Sequence, residues 1–222
     1  MATTPRVPAV EPPIEPGYDP TAPREREVPA RVLLPPKLRT RVAAFDAAVD
    51  RQFDRVRGNR VADRVFYDAS ELADFSLIWH LVGVARGVVS PRREPETVRL
   101  LVCMGAESVL VNGVIKSLFR RTRPTWDFDH ARPRRLRRPR SSSFPSGHAS
   151  AAFTAAGLLS EDDGAWPLYY AAALVVASSR IHVKIHHASD VAAGAALGLV
   201  LGRVFRRAWP LTAAPRRARN AS

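Results

Sequence analysis

The sequence predicts an all-α protein, a transmembrane helical bundle of about five spans with amphipathic N-terminal helices. Five apolar runs follow one another between residues 75 and 205, joined by short charged loops. No stretch alternates apolar and polar residues as a half-buried strand would. Residues 38–73 instead repeat their apolar side chains at helical spacing.

Each element follows from its composition. Residues 1–36 hold ten of the nineteen prolines, mixed with Glu and Arg. Such a stretch cannot bury enough apolar surface to order itself, so residues 1–37 read as a disordered tail. In residues 38–73, Val42, Phe45, Val49 and Phe53 recur at helical spacing, and Val61, Val65 and Phe66 follow Gly58. Two amphipathic helices are expected, lying on the membrane surface or packed under the bundle. Residues 74–207 form the membrane domain, with runs at 75–90, 98–119, 149–160, 165–181 and 188–205. Each is near or slightly below the roughly 20 residues that cross a bilayer. Residues 208–222 read as a basic disordered tail.

Lys and Arg number 34 against 21 Asp and Glu, a formal net charge of +13. That excess suits polyanions: nucleic acid, acidic membrane surfaces or phosphorylated substrates. The one cysteine, Cys103, lies in an apolar run, which excludes an intramolecular disulfide and a thiolate zinc site. The first apolar stretch is short and broken by proline, so no signal peptide is expected.

Three clusters at the ends of the apolar runs carry chemistry. Lys116 and Arg123 are seven residues apart, with Pro124 next. If the helix continues that far they share one face, where two cations can grip a phosphate. Pro145-Ser146-Gly147-His148 reads as a helix start, whose free N–H groups attract anions beside an imidazole. Ser179-Arg180 precedes His186 and Asp190, which are four residues apart. A helix puts that pair on one face, where a carboxylate bonded to one ring nitrogen raises the basicity of the other. Arg180 adds a bidentate phosphate donor. Taken singly, the clusters also fit snorkelling cations, a helix cap and a helix-stabilising pair.

Together they resemble the type 2 phosphatidic acid phosphatase superfamily. Its three-part pattern is filled in order by Lys116, Arg123 and Pro124, by Pro145 to His148, and by Ser179, Arg180, His186 and Asp190. The resemblance covers about residues 74–206. It implies a metal-independent lipid phosphate or diphosphate phosphohydrolase, similar to bacterial polyprenyl-phosphate and decaprenylphosphoryl-phosphoribose phosphatases. In that reading His186 attacks phosphorus to form a phosphohistidine, Asp190 orients His186, and His148 is the general acid. Lys116, Arg123, Arg180, Ser146 and the Gly147 N–H would hold the phosphoryl oxygens. The implied partners are a lipid phosphate and the bilayer, not nucleic acid, and no cofactor is implied. The same scaffold also serves vanadate-dependent haloperoxidases, but the apolar runs argue against such an oxidoreductase. A non-enzymatic polyanion-binding membrane protein is the other alternative, suggested by six arginines within residues 132–140.

His182 and His187 lack the motif spacing; His182 is expected in a loop and His187 beside the site. His80 and His130 are expected to take no catalytic part. These histidines do not form a metal-binding spacing, and no metal site is expected. Positive-inside counting over five spans puts the active site of a multi-pass cell-membrane protein on the cytoplasmic face. Glu107, mid-way along a run, should lie opposite Lys116 and meet Arg86 or another helix, since an unpaired charge there is costly. Oligomeric state has no signature in the chain.

Overall fold

The computed structural model describes residues 35–125, 141–161 and 164–211. Among them the only regular elements are helices. The expected Pro-rich tail up to residue 34, His130, the arginine cluster and residues 212–222 lie outside the described residues.

The two amphipathic helices form where the periodicity puts them: α1 is Pro36–Asp54 and α2 is Arg60–Leu72. Gly58, at φ 84°, turns the chain between them, and Asn59 caps α2 by accepting from the N–H groups of Val61 and Ala62. Both helices pack on the bundle. Val49 and Phe53 of α1 join the core, and Tyr67 of α2 packs with Val183 and Ile185.

Five further helices make the bundle. They are α3 (Leu77–Val89), α4 (Glu94–Ser108), α5 (Gly147–Leu159), α6 (Trp166–His182) and α7 (Ala188–Ala208). The helical path of α4 continues through a wide π turn, Val109–Val114, and a tight 3-10 turn, Ile115–Leu118. Proline near the first turn of α4 and of α6 starts each helix without losing an internal hydrogen bond.

The five apolar runs do become five helices, but they are not five equivalent spans. Among the described residues, two segments, Pro91–Leu118 and Ala188–Ala208, are long and apolar enough to cross a membrane; a third arises only if α2 and α3, bent by 72°, count as one. The reason is length: α3 and α5 have 13 residues each, about 20 Å at 1.5 Å per residue, against a hydrocarbon core of about 30 Å. The α5 run is moreover an inner helix, buried along nearly its whole length between α4, α6 and α7. Its apolar character reflects a core. By contrast Val102 and Val109 along the α4 path and Val200 and Val204 of α7 are exposed, as lipid-facing side chains would be.

Small residues bring α5 and α7 close. Gly194, Gly198 and Gly202 recur every four residues on α7 and face α5, where a Cβ on Gly202 would lie 3.3 Å from the Thr154 carbonyl oxygen. Thr154 Oγ1 donates across the contact to the Gly198 carbonyl at 3.2 Å. The alternation of chain direction sets all the motifs at one end of the bundle: α4 and α6 end there, and α5 and α7 begin there.

Candidate active site

The three clusters meet around one cavity of about 610 Å³. Lys116, Arg123, Gly147, His148, Arg180 and His186 all line it. Ser146 and Asp190 are fully buried and do not line it.

Lys116 arrives on the 3-10 turn that ends the α4 path. Arg123 does not share a helix face with it, as the spacing suggested, because the helix stops at Leu118. Arg123 comes instead on an extended segment. Its guanidinium is held by the carbonyls of Ile185 (3.0 Å), Ser141 and Ser142 (both 3.2 Å), and it donates toward His186 Nε2 at 3.3 Å. Pro124 therefore lies six residues past the true helix end.

Ser146 is the N-cap of α5; its Oγ accepts from the Ala149 N–H, and its own N–H donates to the Asp190 carbonyl at 3.0 Å. Capping and the α5–α7 contact, rather than the cavity, occupy this serine. Gly147 is required by close approach: a Cβ there would stand 2.6 Å from Asn112 Oδ1 and 3.4 Å from Lys116 Nζ. The first N–H groups of α5 then open on the cations of the first motif. His148 Nε2 lies 2.9 Å from Asp74 Oδ1.

Arg180 sits in the last turn of α6, buried, with Nη1 donating to Ser70 Oγ and lining the cavity beside His148. Past α6 the chain turns through Lys184 in the left-handed region, at φ 54°. The Ile185 and His186 N–H groups fold back onto the Arg180 carbonyl at 3.1 and 3.0 Å. This turn aims His186 at the cavity. Arg57 clamps the same turn from below, donating to the carbonyls of Ile181 (2.7 Å) and His182 (2.9 Å). Lys184 Nζ pairs with Asp50 at 2.5 Å.

The His186–Asp190 pair differs from its sequence reading. His186 Nδ1 donates to the Ser143 carbonyl at 2.7 Å, while Asp190 Oδ2 stands 3.7 Å away, beyond hydrogen-bond reach. The reason is that Asp190 has other partners: the His187 N–H at 2.9 Å, in a capping box at the start of α7, and Arg121 Nη1 at 2.5 Å. The Ser143 carbonyl fixes the tautomer, and the carboxylate acts as a nearby negative charge. Either way Nε2 is left as the unprotonated nitrogen facing the cavity. Burial pushes the imidazole down to about 3; Asp190 pulls against this, and the Arg123 and Arg180 guanidiniums add to it. His186 is thus neutral at physiological pH.

Other expectations are corrected. His182 is the last residue of α6 rather than a loop residue; it is buried, with Nε2 2.8 Å from Asp63 and its ring 4.6 Å from Phe66. Glu107 does not meet Arg86, which pairs with Glu96 and stacks on Tyr169. Glu107 is buried and does not line the cavity that Lys116 lines. The wide turn at Val109–Val114 lies between them; one extra residue per turn rotates all that follows by about 100°. His80 lines the cavity, and its Nδ1 lies 2.8 Å from the Ser76 carbonyl. Among the described residues no group of three His, Cys, Asp or Glu is placed to hold a metal ion.

Several residues at the site went unread in the sequence. Asp74 and Arg121 carry no motif signal, and Ser143 acts through its backbone.

A family model described as the PAP2 superfamily matches residues 96–212. Decaprenylphosphoryl-5-phosphoribose phosphatase of Mycobacterium tuberculosis is 32% identical over 139 residues, covering 61% of this chain and 73% of that protein. In fold, the chain is similar to a transmembrane PAP2 type phosphatidylglycerolphosphate phosphatase from Bacillus subtilis. The TM-score is 0.58 at 24% identity, over 75% of this chain and 85% of that one. Aquifex aeolicus LpxE gives a TM-score of 0.59 at 22% identity, over 72% and 94%. With the match spanning more than half its length and every motif position filled, the chain belongs to the PAP2 superfamily.

Proposed function

We propose that the protein removes phosphate from a polyprenyl-linked lipid phosphate by way of a phosphohistidine on His186, without a metal ion. The observation that carries this is the convergence of His148, His186 and the cations Lys116, Arg123 and Arg180 on one cavity. The Nε2 lone pair of neutral His186 attacks phosphorus as the bond to the leaving oxygen breaks. His148 gives that oxygen a proton. Water then attacks the phosphohistidine, His148 takes its proton, and the P–N bond breaks to free phosphate. The three cations and the first N–H groups of α5 stabilise the shifting charge on the phosphoryl oxygens. Arg123, which rests on His186 Nε2 at 3.3 Å, can pass that hydrogen bond to the phosphate.

The polyprenyl substrate is supported by the 32% identity to a decaprenyl-linked phosphatase. A cytoplasmic active-site face follows from the Lys and Arg near the motif end of the bundle. The test is phosphate release by the purified full chain in detergent, with EDTA present, from decaprenylphosphoryl phosphoribose phosphate, undecaprenyl diphosphate, phosphatidylglycerophosphate and phosphatidic acid. Release from a polyprenyl substrate that His186→Ala abolishes is expected. No release from any of the four, or release that EDTA stops, overturns the reading.

A further inference from the structure

We propose that Asp74 is a positioning residue for the leaving-group acid: its carboxylate, 2.9 Å from His148 Nε2, orients the imidazole and balances its positive charge. This rests on the phosphatase reading above. Neither the three motifs nor the matched span, which begins at residue 96, includes this residue.

The backbone presents Asp74 by a costly route. It opens a single 3-10 turn, Asp74–Ser76, at the 72° bend between α2 and α3. Ser76 closes that turn in the left-handed region, at φ 59°, which a residue with a Cβ adopts only when its surroundings hold it there. His80, one turn into α3, contacts the Ser76 carbonyl and steadies the turn. The result is a carboxylate on the rim of the cavity, reaching the first turn of α5 from an element 74 residues earlier in sequence.

Electrostatics give that carboxylate a task. His148 shares its cavity with Lys116, Arg123 and Arg180, and with His80 and His186. The cations suit a phosphate, but burial first, and then the Arg180 and Lys116 charges, push His148 down to about 4 and so oppose the proton that an acid must carry. A carboxylate in contact with Nε2 offsets them. With Nε2 held, Nδ1 is the nitrogen left to serve the leaving oxygen. In the first step that N–H proton moves to the leaving oxygen as its bond to phosphorus breaks, and His148 becomes neutral. In the second step a proton from the attacking water returns to His148 as the P–N bond breaks. Asp74 faces the imidazolium before the first transfer and after the second.

The test separates proton supply from folding. Asp74→Asn keeps an acceptor for Nε2–H and removes the charge; Asp74→Glu keeps the charge. Each is compared with wild type, full length in detergent, for single-turnover formation of phosphohistidine. The two substrates are a polyprenyl phosphate, whose alkoxide needs a proton to leave, and 4-nitrophenyl phosphate, whose phenolate does not. Asp74→Asn should slow the lipid reaction about 100-fold, the lower end of what a general acid supplies, and the aryl reaction by less than about twofold. It should then accumulate phosphohistidine from the aryl substrate, because hydrolysis still needs His148 as base. Asp74→Glu should recover most of the lipid rate. Equal loss on both substrates, or loss on neither, overturns the role of Asp74. A wild-type protein that forms no phosphohistidine from either substrate overturns the phosphatase reading, and this inference with it.

Discussion

The guanidinium of Arg121 lies 2.5 Å from the Asp190 carboxylate, and its second nitrogen lies 2.6 Å from Asp46 on α1. Asp46 in turn accepts from the Ser189 N–H at 2.7 Å and the Ser189 hydroxyl at 2.9 Å. The surface helix α1 is thereby tied to the start of α7, where the motif carboxylate stands.

Arg121→Ala should consequently cost both stability and turnover. It leaves two carboxylates, one fully buried and one nearly so, without their cation. Removing one partner of such a buried arrangement costs about 3–5 kcal/mol. Arg121→Lys should recover only part of this, since one ammonium does not span two carboxylates. Thermal unfolding in detergent, run beside phosphate release, reads both effects. An unfolding midpoint equal to that of wild type would mean that α1 is not anchored through this residue.

The buried imidazole of His186 predicts a loss of stability in acid. Its ordinary value of 6.5 falls to about 3 in the fold. Between those limits the unfolded chain binds the proton and the folded chain does not, so stability falls as pH drops from about 6.5 toward 3. One proton gives a slope of at most about 1.4 kcal/mol per pH unit. His187 adds to the trend, because burial and the nearby Arg121 guanidinium push it in the same direction. The unfolding midpoint should decline over this window, and His186→Asn should flatten the decline. A variant whose midpoint tracks wild type at every pH would rule out His186 as a source.

The sequence made the motif side chains legible because each stands at a fixed offset from its motif partners at the end of an apolar run. It also made the helices legible, since period and proline marked their starts. Three things were not legible. The wide turn at Val109–Val114 has no composition of its own, so the orientation of Glu107 relative to Lys116 could not be read. The partner of His186 Nδ1 is the backbone carbonyl of Ser143, which any residue could supply. The burial of α5 depends on what surrounds it, and an inner helix and a short span have the same letters. The spacing of Gly194, Gly198 and Gly202 was visible and would have foretold the close packing of α5 on α7.

Glu107 offers a case where losing a charge should help. It is 1% exposed, and neither carboxylate oxygen has a hydrogen-bond partner among the described residues; the nearby Ser150 hydroxyl has none either. An ionised carboxylate in mid-membrane costs about 2.5–3.5 kcal/mol. Glu107→Gln keeps the shape and cannot ionise. Its unfolding midpoint should equal or exceed that of wild type. A stability lower by more than about 1 kcal/mol, the worth of one hydrogen bond, would show that a partner holds the carboxylate.

The glycines of α7 predict a graded set of defects. A Cβ on Gly198 would meet the Ser150 carbonyl oxygen and stand 2.9 Å from Phe153 Cβ; one on Gly194 would meet the Ser146 carbonyl oxygen and stand 3.2 Å from Ala149 Cβ. Backbone oxygens cannot swing aside, so the two helices must separate, at about 1–3 kcal/mol for each substitution. The functional outcomes should differ. Gly194 presses on the cap of α5, two residues before His148, so Gly194→Ala should lower turnover as well as stability. Gly198 lies one turn deeper, and Gly198→Ala should lower stability with a smaller effect on turnover. Gly105→Ala is the control for stability. A Cβ there meets nothing within 4 Å, and alanine in place of glycine should add about 0.5–1 kcal/mol to the helix. Unfolding midpoints and phosphate release for the three variants test the order, and a Gly198→Ala protein as stable as wild type would mean that α5 and α7 do not pack through this seam.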